Sequence, residues 1–191
     1  MKTPLTFLAI AAMTIAMALP STPSAAADLA PGSYSFVTER SAANLTVSSP
    51  IGKLNAEIPF RGGTLTVDQR GNVSATDAVL DTQGVTAGNS VALKQLKGGS
   101  GLAVDKFPTA EFVSTGARLD GDELTVEGNL TVRGVTRPLT VSGKVLRANN
   151  RRFSVSLEGR IDRTQFGITT GRPLYSKQAD LRLRIVARKA R

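Results

Sequence analysis

The chain has 191 residues, 24 Lys and Arg against 15 Asp and Glu for a formal charge of +9, and neither Cys nor His. Without Cys there is no disulfide framework, thiolate chemistry or Cys-based zinc site, and without His there is no Ser-His-Asp triad and no histidine-ligated zinc or haem. Carboxylate pairs survive these exclusions, but no two acids stand at a catalytic spacing, so neither an enzyme nor a cofactor or metal site is expected.

Residues 1–27 read as a cleaved secretory signal. Lys2 gives a positive start, Leu5 to Leu19 form an apolar run broken by Thr6 and Thr14, and Ala25-Ala26-Ala27 supplies a small-residue cleavage site. The run falls short of the roughly 20 apolar residues needed to cross a bilayer. Export to a periplasm or to the medium follows, with a single domain over residues 28–191.

Beyond Asp28 the hydrophobic pattern has period two. Tyr34 and Phe36, Leu45 and Val47, Leu54 to Phe60, and Leu65 and Val67 all alternate with polar neighbours. From Thr86 to Val104 the pattern changes. Val91, Leu93 and Leu96 leave strand spacing, and Lys94, Gln95 and Lys97 suit a short helix capped by Asn89 or Ser90 and ended by Gly98-Gly99. Alternation resumes in Leu124-Thr125-Val126-Glu127-Gly128-Asn129-Leu130-Thr131-Val132. It continues through Leu139, Val141, Gly143 and Val145, then Phe153, Val155 and Leu157, then Leu181, Leu183 and Ile185. Arg61-Gly62-Gly63, Arg70-Gly71-Asn72, Asp120-Gly121-Asp122, Arg133-Gly134 and Asn149-Asn150 read as turns.

Such alternation marks strands with one dry and one wet face, joined here as an all-β antiparallel meander. A barrel or a two-sheet sandwich would bury the dry face equally well. The long neighbouring strands, roughly Asp122 to Val132 and Pro138 to Arg147, lean towards a barrel of about eight or more strands.

Several segments resemble one family. Tyr34-Ser35-Phe36 opens the domain. Phe107-Pro108-Thr109-Ala110-Glu111-Phe112 is similar to an aromatic-Pro-x-x-x-Phe strand entry. Leu130-Thr131-Val132-Arg133-Gly134-Val135-Thr136-Arg137-Pro138-Leu139 resembles the run "LTI-x-G-V-T-R-P-V", and Ile161-Asp162-Arg163-Thr164-Gln165-Phe166-Gly167 resembles "I-x-R-x-x-F-G". These are marks of the YceI family of exported lipid- or polyisoprenoid-binding proteins. The resemblance implies a lipocalin-like antiparallel barrel, a helix and loop near its mouth, and a long apolar cavity. One stretch departs from the family. Where members carry "H-L-x-S-x-D-F-F-D", this chain reads Gln95-Leu96-Lys97-Gly98-Gly99-Ser100-Gly101-Leu102-Ala103, so the cavity entrance is altered.

The inward face is the candidate binding site. Phe36, Val47, Leu65, Val67, Leu102, Phe107, Phe112, Val126, Val132, Val141, Phe153 and Val155 are expected to line a cavity, unless they fill each other's space as in any packed core. Few aromatics, and Gly128, Gly143 and Ala56 on that face, favour a cavity. Arg163 and Phe166 are expected to close the barrel floor, with an anionic head group as the other use for Arg163. Arg137 reads as turn chemistry before Pro138. Asp120, Asp122 and Glu123 make a solvated hairpin tip without calcium-loop spacing. Arg182, Arg184, Arg188, Lys189 and Arg191 suit either contact with an anionic membrane surface or a charged edge strand.

The expected function is a carrier holding an isoprenoid, quinone-like molecule or other lipid. The alternative is a basic β-domain acting on anionic envelope polymers or membranes through its surface. Expected partners are the lipid or isoprenoid, transient membrane-surface contact and a second copy as a homodimer. Nucleic acid is not among them.

Overall fold

The computed structural model describes residues 29–149 and 151–190; the leader expected over residues 1–27 lies outside this range. Its strands are β1 (Gly32–Phe36), β2 (Ala42–Ser49), β3 (Gly52–Val67), β4 (Val73–Asp81), β5 (Thr86–Ala87), β6 (Thr109–Asp120), β7 (Glu123–Val132), β8 (Val135–Ala148), β9 (Arg152–Asp162) and β10 (Gln178–Lys189). One helix, α1 (Ser90–Lys97), stands between β5 and β6, and short 3-10 turns cover Thr38–Arg40 and Arg163–Phe166.

The strand order β10-β2-β3-β4-β6-β7-β8-β9 is antiparallel throughout, and β9 pairs back on β10 from Asp162↔Gln178 to Arg152↔Arg188. This closes an eight-stranded barrel. β1 and β2 share one stave. β2 pairs with Gly52 to Pro59 of β3, and β1 pairs with Thr64 to Val67 of the same strand, both also lying against β10. The crossing between them is fixed by Ser41, whose hydroxyl donates to the Val37 carbonyl at 2.9 Å and accepts from the Val186 amide at 3.0 Å.

Alternation set the faces as expected. In β7, Leu124, Val126, Leu130 and Val132 are buried, while Glu127 and Asn129 face water. A polar outside and an apolar inside is the reverse of a membrane-spanning barrel. The expected turn at Arg61-Gly62-Gly63 does not exist. These residues lie inside β3, where Arg61 is the extra residue of a β-bulge between Phe60↔Leu80 and Gly62↔Val79. Glycine is needed at 63 because a Cβ there would overlap the Phe36 ring. The edge-strand role suggested for β10 is likewise overturned, because β10 is paired on both sides and closes the barrel.

The turn Arg133-Gly134 joins β7 to β8 with φ of 54° and 73°, the two positive values that a tight hairpin of matching twist requires. Asn89 caps α1, its side chain accepting from the Ala92 amide at 2.8 Å, and Gly98 ends it.

The two barrel ends differ. At one, Tyr34, Val73, Leu124, Phe153 and Val155 are fully buried, and the Tyr34 hydroxyl donates to the Ala30 carbonyl at 2.7 Å, folding the chain before β1 beneath the floor. The other end carries the β2–β3 turn, α1, the β7–β8 turn and the segment from Arg163 to Lys177.

Candidate functional site

A narrow cavity of about 100 Å³ runs along the barrel axis. Aliphatic and aromatic side chains line it, with Thr76 the one polar residue among them. Phe36 and Phe60 meet edge to face there, ring centroids 5.7 Å apart. Above it lies a wider chamber of about 410 Å³ between the barrel mouth and α1. Leu45, Ile58, Leu102, Ile161 and Ile168 line both, so the two are successive parts of one channel. The outer chamber adds polar groups from Asn89, Gln95, Arg163, Thr170 and Tyr175. Its volume is within the roughly 300–1,000 Å³ usual for small-molecule sites, whereas the inner part admits only a slender group.

The predicted lining residues divide by height along the barrel. Phe36, Phe112, Val126, Val132 and Val141 face the inner cavity, Val47 the outer one, and Leu102 both. Leu65, Val67, Phe153 and Val155 line neither. They point inward as alternation requires, but at the closed end: Leu65 is opposite Tyr34, Val67 opposite Gly32, Phe153 opposite Ala187 and Val155 opposite Ile185. Side-chain parity gives the face of a strand and not the level at which the interior is packed shut. Phe107 also stands outside both cavities, half-buried in the loop before β6, with its carbonyl accepting from the Thr82 hydroxyl and its ring over Gly134.

Gly128 and Gly143 do not widen the channel. A Cβ at 128 would meet the Phe112 ring, and one at 143 the backbone of Ser156 and Leu157, so both glycines admit a close neighbour. Ala56 does line the outer chamber. The same alternation could have supplied Ile58, Ala78, Ala110, Leu130, Leu139 and Leu157, which face the inner cavity.

Arg163 and Phe166 are at the mouth end, with Arg163 lining the outer chamber opposite α1, and not at the floor. Arg163 is 4% exposed and donates to four carbonyls: Ser176 at 2.7 Å, Thr170 at 2.7 Å, Tyr175 at 3.1 Å and Ile168 at 3.2 Å. It pins the segment leading to β10 over the chamber. Burial pushes its guanidinium below the usual arginine range and Arg172 adds to this, while Asp162 opposes it. The Asp162 carboxylate caps the 3-10 turn, accepting from the Thr164 hydroxyl at 2.6 Å and the Thr164 amide at 2.9 Å, and both bonds hold its pKa below the usual value.

The family-divergent stretch forms part of this entrance. Gln95 and Leu96 line the outer chamber, and the Ser100 carbonyl accepts from the Thr169 and Thr170 amides at 2.8 and 3.0 Å. The other charged features lie outside the channel. Asp120 pairs with Arg118 at 3.3 Å and Asp122 with Lys144 at 3.8 Å at the exposed hairpin tip. Arg137 donates to the Thr136 carbonyl at the mouth end of β8, where it stands opposite Leu130, in a strand and not a turn. Arg182 pairs with Glu158 at 3.0 Å on the barrel wall; Arg191 is beyond the described residues.

Comparison with known proteins matches residues 34–187 to the YceI-like domain. Protein YceI of Salmonella arizonae is 35% identical over 126 residues, covering 62% of this chain and 65% of that protein, so the match spans just under two thirds of the relative's length. Burkholderia cenocepacia BcnA superimposes with a TM-score of 0.70 at 18% identity, over 79% of this chain and 98% of that one. A polyisoprenoid binding domain from Saccharophagus degradans, implicated in plant cell wall breakdown, gives 0.63 at 16% identity, over 82% and 98%. At these identities the two solved structures establish the fold.

Proposed function

The chain belongs to the YceI-like domain family, and from that premise we propose that it is a binding or carrier protein holding one slender isoprenoid, quinone-like molecule or other lipid in the channel. The observation that carries this is the continuity of an apolar inner cavity with a wider, polar-edged outer chamber. A tail would occupy the former and a bulkier end the latter. Each buried CH₂ contributes about 0.8 kcal/mol, so a few isoprene units offset the cost of association without a charged contact. The structural neighbour named as a polyisoprenoid binding domain supports the same class of guest.

We further propose that the protein works in the periplasm or medium, a reading supported by the leader-like pattern of residues 1–27, with no reaction assigned to it. Native mass spectrometry of the purified protein, followed by solvent extraction, should reveal an apolar guest or uptake of an added isoprenoid. A protein that carries none and takes up none would end the proposal. The surface-acting alternative draws on the formal charge of +9. It requires salt-sensitive binding to heparin that survives blocking of the channel.

A further inference from the structure

Both barrel ends carry bases, but acids are unevenly placed between them. The three segments framing the outer chamber, residues 49–55, 82–104 and 163–177, contain no Asp or Glu. They carry Lys53, Lys94, Lys97, Arg163, Arg172 and Lys177. The acids adjoining them in sequence are Asp162, held by Thr164, Asp81, paired with Arg61, and Asp105, while Glu57 stands opposite Thr86 and Asp180, paired with Arg160, shares an outer groove with Lys53. The turns at the closed end, by contrast, mix bases with Asp68, Asp120, Asp122 and Glu123.

The same acid-free rim carries isolated apolar side chains held in water. Ile51 is 77% exposed at the tip of the β2–β3 turn, Val91 65% on α1, and Leu174 45% in the segment before β10. The Ser176 amide donates to the Ser48 carbonyl at 2.9 Å, which brings the Leu174 segment beside the turn bearing Ile51. Each aliphatic has cations close in sequence: Lys53 after Ile51, Lys94 three residues beyond Val91, and Arg172 and Lys177 around Leu174. Solitary aliphatics among lysines and arginines suit the boundary of an anionic bilayer, where the apolar tips enter between head groups and the cations stay with the phosphates.

We propose that this rim docks the protein mouth-down on an anionic lipid surface, so that a guest passes between bilayer and channel without crossing water. The docking rests on the rim itself, and its purpose rests on the carrier reading.

Each Lys or Arg near an anionic membrane contributes roughly a fivefold factor in binding. Flotation with vesicles of phosphatidylcholine and phosphatidylglycerol should therefore show roughly a hundredfold weakening for the triple variant Lys53→Ser, Arg172→Ser, Lys177→Ser. Ile51→Ser with Leu174→Ser should lose the part of binding that resists added salt. The same number of charges removed at the closed end, Arg151→Ser, Arg188→Ser and Lys189→Ser, should leave mouth-down binding standing. Wild-type protein that ignores these vesicles, or a closed-end variant that falls as far as the rim variant, overturns the docking. Guest content, read by native mass spectrometry on the same samples, separates the two proposals. Rim-dependent vesicle binding without any guest upholds the docking and removes the carrier; a retained guest without vesicle binding does the reverse.

Discussion

The Arg133 guanidinium donates through Nη1 to the Gly101 carbonyl at 2.8 Å, tying the β7–β8 turn to the loop that leaves α1. The same nitrogen reaches the Gly167 carbonyl at the end of the 3-10 turn. One side chain thus fastens together the loops on either side of the outer chamber. They also meet through the two amide bonds to Ser100.

Removing that clasp should loosen the mouth while sparing the barrel. Arg133→Ala is expected to cost about 1.5–3 kcal/mol, the range for bonds from a charged donor. Amide hydrogen exchange should speed up in residues 98–107 and 167–171 and stay unchanged in β6 to β9. Equal acceleration throughout the barrel would contradict a local role.

Arg163 should tolerate less. Its fork satisfies carbonyls at four positions in one segment. Arg163→Met leaves those acceptors buried and unpaired, and a loss of at least about 2 kcal/mol in urea unfolding is expected. Arg163→Lys keeps the charge without the planar fork and should recover only part of it.

Filling the inner cavity tests the channel directly. Ala110 is buried on β6, lines the cavity and lies opposite Leu80. Ala110→Phe should fold at a cost of about 1–3 kcal/mol yet carry markedly less co-extracted lipid than the wild type. Undiminished guest content in a folded Ala110→Phe protein would show that the guest sits elsewhere.

Gly143 offers a contrasting site, because the β9 backbone occupies the space its side chain would need. Gly143→Ala should destabilise by about 1–3 kcal/mol through forced strand displacement. Thermal unfolding measures this, and an unchanged Tm would contradict the close approach.

The Asp162 cap predicts a pH dependence. Its folded pKa is lowered, first by the Thr164 hydroxyl and then by the Thr164 amide. Its contribution is therefore fully present above the unfolded aspartate value of about 3.9 and is lost as pH falls through the lower folded value. Asp162→Ala should unfold earlier than wild type at pH 6, and the difference should shrink below about pH 3.5. A gap that stays constant across that range would rule out the carboxylate as its source.

Much of this molecule is legible before folding. Period-two alternation names the strands and their dry faces because side-chain direction is a local property of extended backbone. The short helix from Ser90 and its Asn89 cap are local in the same way. Three-dimensional closure decided the rest. A glycine pair reads as a turn until the pairing of Phe60 and Gly62 with β4 shows a bulge in a continuous strand. Leu65 and Phe153 match the periodicity of true lining residues such as Val126 and Val141, yet the floor that buries them is made by Tyr34 and the chain before it, remote in sequence. Strand parity fixes a side chain's face within one residue, whereas its height in the barrel depends on register summed around eight strands.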